Sequence, residues 1–348
     1  MIEFLDQDFS GLNEWIDENP PSQIFFLADE NTHQYCLPIL LGNLQSSVPF
    51  EIIELEPGEE LKNLESTHLL WTILSEFKAD RKSLLINVGG GVLTDLGGFV
   101  ASTYKRGIPF LHVPTTLLSM CDASLGGKTG IDLGHLKNIV GTFSFPQRIF
   151  VYPDFLKTLP KEEFDSGFAE MLKHGLILDA SHYQKLSLIQ DPQNELTQDL
   201  IEDSMKIKSE VVEKDFKEKN VRKLLNFGHT VGHAIESHFL QAQQSVSHGH
   251  CVAIGMWIES ELSFQKELLT KEECEEIQRV ISNFYPYLEL NVFPTESLLE
   301  VMRNDKKNES QQILFTLLRS IGSGIFDQKV EENEIISALE QYKSCSWR

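Results

Sequence analysis

The stretch NFGHTVGHAIE (226–236) carries two histidines, His229 and His233, four residues apart. Four residues is close to one helical turn, so a helix here puts both imidazoles on one face. That is the spacing of a two-histidine metal site, although such a pair standing alone is more often structural than ligating. Other donors lie elsewhere in the chain: His248 and His250 in SVSHGHCVAIGM, and Glu170 in GFAEMLKHG with Lys173 one turn later. Two imidazoles and one carboxylate suit Zn2+ or a similar divalent ion and leave positions open for substrate oxygens. Spacing alone leaves the choice open among Glu170, His229, His233, His248 and His250.

Two glycine-rich stretches add a second kind of chemistry. NVGGGVLTDLGGF (87–99) runs from a strand through three glycines into a helix, where backbone N–H groups can approach a phosphate. It does not follow the G-x-G-x-x-G register, so a plain strand-to-helix turn explains it about as well. ASLGGKTG (123–130) ends like a P-loop, but the Walker pattern fails because Asp122 stands where its first glycine belongs. No nucleoside triphosphatase is indicated, although Lys128 on a glycine loop is placed to meet an anion.

The elements that must carry these residues fall into two textures. QIFFLAD (23–29), SLLINVGGG (83–91) and GIPFLHVPTT (107–116) read as buried strands. Between the first two, LESTHLLWTILSEFKAD sets Leu69, Leu70, Ile73 and Leu74 at helical spacing. Alternating strands and helices predict a parallel α/β sheet with its ligand at the carboxyl ends of the strands. Beyond about residue 155 the patterns turn helical, with the boundary expected in TLPKEEF (158–164). The expected domains are therefore 1–157, α/β, and 158–348, mainly α-helical.

Composition narrows the function classes. The chain of 348 residues has 30 basic and 52 acidic side chains, a net charge of −22. Nucleic acid is an unsuitable partner for such a surface, and an anionic substrate needs a local cationic cluster. The five cysteines are scattered and form no C-x-x-C pair, as expected of reduced thiols in the cytoplasm. No signal-peptide pattern is read at the start and no apolar run approaches the roughly 20 residues that span a bilayer, so no membrane role is expected.

Taken together, the chain resembles the 3-dehydroquinate synthases over about residues 25 to 325. GGGVLTDLGGF, YKRG, PTTLLSMCDASLGGKTG, LKN, LPKEEFDSGFAEMLKHG, LLNFGHTVGHAIE and HGHCVAIGM occur in that family's order and spacing. The resemblance implies a Rossmann-like NAD-binding domain followed by an α-helical metal- and substrate-binding domain, in a homodimer. It implies Glu170, His229 and His248 as ligands of Zn2+ or Co2+, with His233 touching substrate instead. In the NAD-binding half it implies Asp29, Asn31, Glu59, Lys62, Gly90, Gly91, Val92, Asp95, Thr115, Thr116 and Leu118, together with Asp122, Lys128, Lys137, Thr158 and Glu163. Around the substrate it implies Arg106, Asp122, Lys128, Asn138, Lys173, Lys208, Arg222 and Asn226, completed by Lys306 or Lys307.

The reaction so implied converts 3-deoxy-D-arabino-heptulosonate 7-phosphate to 3-dehydroquinate and phosphate. Transient oxidation by NAD, phosphate elimination, re-reduction and an intramolecular aldol closure follow one another, with NAD restored at each turnover. Sibling cyclases making a valiolone or a deoxyinosose would share the fold, NAD and metal. The chain departs from the family at two points. Phe216 stands in place of a usual Glu, and His250 replaces the Glu that usually follows His-Gly. His250 is either an imidazole beside the ion that does not bind it or a competing ligand, and the three intact ligand positions favour the first. A non-catalytic relative rests on this His250 change alone.

Overall fold

The computed structural model describes residues 1–134, 136–244, 246–303 and 312–345. Lys306 and Lys307 lie outside the described residues. The chain divides into two compact units, Met1–Pro160 and Lys161–Arg348.

The first unit is built on eight strands: β1 (Ile2–Phe4), β2 (Ile24–Asp29), β3 (Phe50–Leu55), β4 (Leu84–Gly89), β5 (Phe110–Pro114), β6 (Lys128–Leu133), β7 (Leu136–Phe143) and β8 (Ile149–Val151). Six form a parallel sheet in the order β1-β8-β5-β4-β2-β3. The inner strands are continuous apolar runs because helices cover both faces. Strand β3 lies at the edge and leaves Phe50 and Ile52 exposed. On one face Phe25, Leu27, Leu85 and Phe110 pack with Leu93, Leu96, Phe99 and Val100 of the helix Gly91–Thr103. The helix Leu64–Glu76 forms where its periodicity predicts, capped by the Asn63 side chain on the Ser66 N–H at 2.9 Å. Leu70 and Leu74 face the core, whereas Leu69 falls on the outer side of that stripe and is exposed.

From β2 the chain crosses outward to β3, then returns past β2 to β4 and onward to β5. The sheet therefore switches direction between β2 and β4, where a crevice opens at the carboxyl ends of the strands. The second hairpin, β6–β7, is antiparallel, and Lys128 is its first residue. The expected glycine loop around Lys128 is thus a strand start, and the Lys128 side chain is exposed.

The second unit is mainly helical, as its periodicity predicts. Its hub is the helix His248–Gln265, buried nearly all round. It packs on the helices Lys161–Leu178, His229–Gln241, Lys271–Phe284 and Glu332–Ser344. The sequence reading missed one element here, the antiparallel hairpin β9 (Leu314–Ser320) and β10 (Ser323–Lys329). Its apolar run ILFTLL does not alternate, so periodicity could not separate a buried strand from a buried helix.

One buried histidine in the sheet makes stability depend on pH. His112 of β5 lies opposite Asn87 of β4, and its Nδ1 accepts from the Asn87 amide at 3.2 Å. Burial pushes the His112 imidazole down to about 3 from 6.5. Below pH 6.5 the unfolded chain binds a proton that the folded chain refuses, so this stabilisation is whole above pH 6.5 and shrinks toward pH 3. The loss is about 1.4 kcal/mol per pH unit. Urea unfolding of His112→Gln, which keeps an acceptor for Asn87, should show about 2 kcal/mol less loss than wild type between about pH 7 and about pH 5. An equal loss in both proteins would rule His112 out as the source.

Candidate active site

In the second unit a cluster forms where three helices meet. Glu170 lies inside Lys161–Leu178, and His248 is the first residue of the hub helix. His229 opens the helix His229–Gln241, with His233 one turn along it. Ligand nitrogens of His229, His233 and His248 lie within 4.8 Å of one another. His229 Nε2 is 3.5 Å and His248 Nε2 is 3.8 Å from Glu170 Oε1. A tetrahedral ion with bonds near 2.0–2.1 Å separates its ligand atoms by about 3.3 Å, close to both distances.

The other face of each imidazole is also engaged. His229 Nδ1 donates to the Phe227 carbonyl at 3.1 Å, which leaves Nε2 with its lone pair. His248 Nδ1 lies 3.3 Å from Glu236 Oε2. Hydrogen bonds of this kind set tautomer and ring orientation in metal-binding histidines. Burial by itself would lower His248, but hydrogen bonds and charge from Glu170 and Glu236 push it up to about 10. The site thus strongly favours positive charge. The donor set and its supports fit a divalent cation held by Glu170, His229 and His248.

Buried cations lie in the same unit. Lys173 pairs with Glu170, and Lys173, Lys208 and Arg222 are all buried. Lys208 lies on the helix Gln198–Lys214, which packs on Lys161–Leu178 and on the turn Val221–Asn226. Arg222 Nη1 donates to the Phe216 carbonyl at 2.8 Å, and Asn226 Nδ2 donates to Glu218 at 3.0 Å. The residue that departs from the family at 216 thus contacts Arg222 through its main chain, where side-chain identity matters least. Asp215 accepts the N–H groups of Lys219, Asn220 and Arg222, which hold its carboxylate below the usual range against the opposing effect of burial.

His250 faces elsewhere. Its Nε2 donates to the Pro286 carbonyl at 2.8 Å and its ring lies against Tyr285. Among the described residues the grouped metal donors do not include it.

In the first unit the candidate nucleotide residues sit at strand ends. Asp29 ends β2 and caps the next helix by accepting from Thr32 N–H at 2.8 Å, with Asn31 exposed beside it. Gly90, Gly91 and Val92 follow β4, and Gly90 lies against the Thr116 methyl. Thr115 and Thr116 follow β5, and Leu118 lies in the short helix Leu117–Cys121, which ends at Asp122. Buried Lys62 pairs with Asp95 at 2.7 Å and Glu59 at 3.8 Å, and Lys137 reaches Glu59 at 3.9 Å. Burial would lower Lys62, and the Asp95 and Glu59 carboxylates overcome it and raise it. Asn138 lies on β7 with φ 53°, its N–H bonded to Asp132 at 2.6 Å. Lys105 and Arg106 both have left-handed backbones, φ 49° and 68°, at a cost of about 1–2 kcal/mol each. Strain of this kind concentrates at working sites, and Arg106 is an expected anion ligand. Thr158 lies near the end of the first unit and Glu163 near the start of the second; both are exposed.

Three acidic residues escaped the sequence reading: Glu236, Asp215 and Glu259. Glu236 had a signal, since it stands three residues after His233 and so near the same helical face. Asp215 and Glu259 act on backbone N–H groups, which no side-chain spacing announces.

The helices carrying the histidines touch backbone to backbone. A Cβ on Gly232 would lie 2.9 Å from the Cys251 carbonyl oxygen, and one on Gly255 would lie 1.9 Å from that of Gly228. Gly232→Ala should therefore cost about 1–3 kcal/mol, read as a lower unfolding midpoint in urea. Unchanged stability would show that the two helices can part without penalty.

Comparison with known proteins gives the family. The 3-dehydroquinate synthase N-terminal family matches residues 52–166, and the 3-dehydroquinate synthase C-terminal family matches residues 167–308. A 3-dehydroquinate synthase of Parabacteroides distasonis is 39% identical over 336 residues, 96% of this chain and 95% of its own length. That of Campylobacter concisus is 38% identical over 304 residues, 87% of each chain. Among solved structures, a 2-epi-5-epi-valiolone synthase from Streptomyces hygroscopicus with NAD+ and Zn2+ bound has a TM-score of 0.88 at 26% identity, covering 98% of this chain and 95% of its own. On its matched domains and its relatives alike, the chain belongs to the 3-dehydroquinate synthase family.

Proposed function

We propose that the protein is a working 3-dehydroquinate synthase, converting 3-deoxy-D-arabino-heptulosonate 7-phosphate to 3-dehydroquinate and phosphate. The observation that carries this reading is the cluster of Glu170, His229 and His248, with both histidine Nδ1 atoms engaged and both Nε2 atoms facing the carboxylate. Met1–Pro160 would bind NAD at the β2–β4 switch, and Lys161–Arg348 would hold the ion and the substrate anions. When bound, NAD supplies a hydride acceptor and the divalent ion a Lewis acid for neighbouring substrate hydroxyls. Glu170, His229 and His248 would hold that ion.

The chain's own residues bind, orient and move protons. Arg222, fixed on the Phe216 carbonyl, presents a planar guanidinium suited to the substrate carboxylate. Lys173 and Lys208 would serve as point charges for the phosphate and hydroxyl oxygens. His233 supplies an imidazole nitrogen to which a substrate hydroxyl can pass its proton. The transient ketone acidifies the C–H beside it, so that carbon gives up its proton as phosphate leaves from the next carbon along, and the phosphate's own oxygens can take the proton. Local cations therefore carry the anion recognition that the net charge of −22 opposes. The protein is further read as a cytoplasmic homodimer, consistent with its five free thiols in the first respect and with the family in the second.

The direct test measures phosphate release from the heptulosonate phosphate with NAD+ present and metal supplied or chelated. Metal-dependent release with no net NADH is expected, and Arg222→Lys should lower kcat/KM by about 10-fold to 100-fold through lost bidentate geometry. No release from this substrate, with ion and NAD+ both bound, would overturn the assignment in favour of a sibling cyclase or a dehydrogenase.

A further inference from the structure

The helix His229–Gln241 begins at Gly228, whose backbone is left-handed (φ 79°) and whose own position offers no capping side chain. Its first N–H groups need partners from elsewhere. Glu259, fully buried on the hub helix, supplies them: Oε2 accepts from Gly228 N–H at 2.6 Å and Oε1 from Val231 N–H at 3.2 Å. A carboxylate here also meets the positive end of the helix dipole. Charged or polar groups are rarely buried so fully without a specific task.

That task follows from where the two helices touch. Gly228 neighbours Met256, Gly232 neighbours Cys251, and Glu236 reaches His248, so the helices run antiparallel. Their glycines set how closely the backbones approach, and a bond from a side chain of one helix to the main chain of the other adds a fixed point along the axis. Glu259 stands eleven residues, about three turns, beyond His248 on the same helical face. A slip of one residue, about 1.5 Å, would break its 2.6 Å bond to Gly228. We infer that Glu259 is a positioning residue for the metal site: its two-oxygen cap on Gly228 and Val231 fixes the axial register that brings His229 to His248. The inference rests on the metal reading proposed above and names a residue that touches neither the ion nor the substrate.

The test uses the full chain freed of metal, as Glu259→Ala, Glu259→Gln and the control His229→Ala. Zn2+ affinity is read by chelator competition, ligand geometry by the visible absorption of Co2+-loaded protein, and folding by circular dichroism. Glu259→Ala is expected to weaken Zn2+ binding by about 10-fold to 100-fold and to shift the Co2+ bands. Glu259→Gln keeps the size and one acceptor oxygen but turns an NH2 toward the other N–H, so a smaller loss is expected. Should Glu259→Ala fail to fold, the Gln variant decides on the same two readouts. Unchanged Zn2+ affinity and an unchanged Co2+ spectrum in the folded Glu259 variants, with the ion lost from His229→Ala, would overturn the inference and leave Glu259 a support of folding alone. Zn2+ retained in His229→Ala would instead overturn the metal reading itself.

Discussion

Backbone contact between the helices His229–Gln241 and His248–Gln265 is the constraint on which the second unit depends. Glycines at 228, 232 and 255 allow that contact, because any side chain there would meet a main-chain atom or close-packed side chain of the facing helix. Only at such a separation can imidazoles from two helices converge with a carboxylate from a third. The hub helix must then be buried on nearly every side, which explains its lack of an apolar stripe and its contacts with four other helices and β9. The buried strand β9 belongs to the same cover.

Charge in this unit is arranged against the molecule's own average. In a chain of net charge −22, Lys173, Lys208 and Arg222 are buried, Lys173 against Glu170. Burying cations is costly unless each meets an anion or an acceptor. Part of that compensation is internal, through the Glu170–Lys173 pair and the Phe216 carbonyl on Arg222. A substrate with a carboxylate and a phosphate adds more. The loop that carries Arg222 is folded around Asp215, so the position of the guanidinium is set by backbone hydrogen bonds rather than by the residue type at 216.

The first unit follows a different rule. In a parallel sheet the strand order itself creates a crevice, at the point where successive connections leave in opposite directions. Asp29, Gly90 and Thr116 stand at the carboxyl ends of three different strands, β2, β4 and β5. The ion pairs of Lys62 with Asp95 and Glu59 tie the turn after β3 to the helix after β4.

Much of this was legible in the sequence. Buried strands such as β2 and β4 announce themselves as apolar runs, the helices by their 3.6-residue period, and the chemical residues by motifs whose order and spacing are specific. These are local properties, and the chain carries them wherever it folds. Strand β9 of the hairpin at 314–329 was not legible, since its mostly buried apolar run shows no alternation. Nor was the role of His250, whose partner is a carbonyl 36 residues away at Pro286. Glu259 and Asp215 were hidden for the same reason: they bind backbone N–H groups, and every residue except proline offers one. The sequence by itself determined which side chains could do chemistry. Tertiary structure decided which nitrogen of each histidine faces the carboxylate and which acids hold the helices in register, because those choices depend on backbone atoms that only folding brings together.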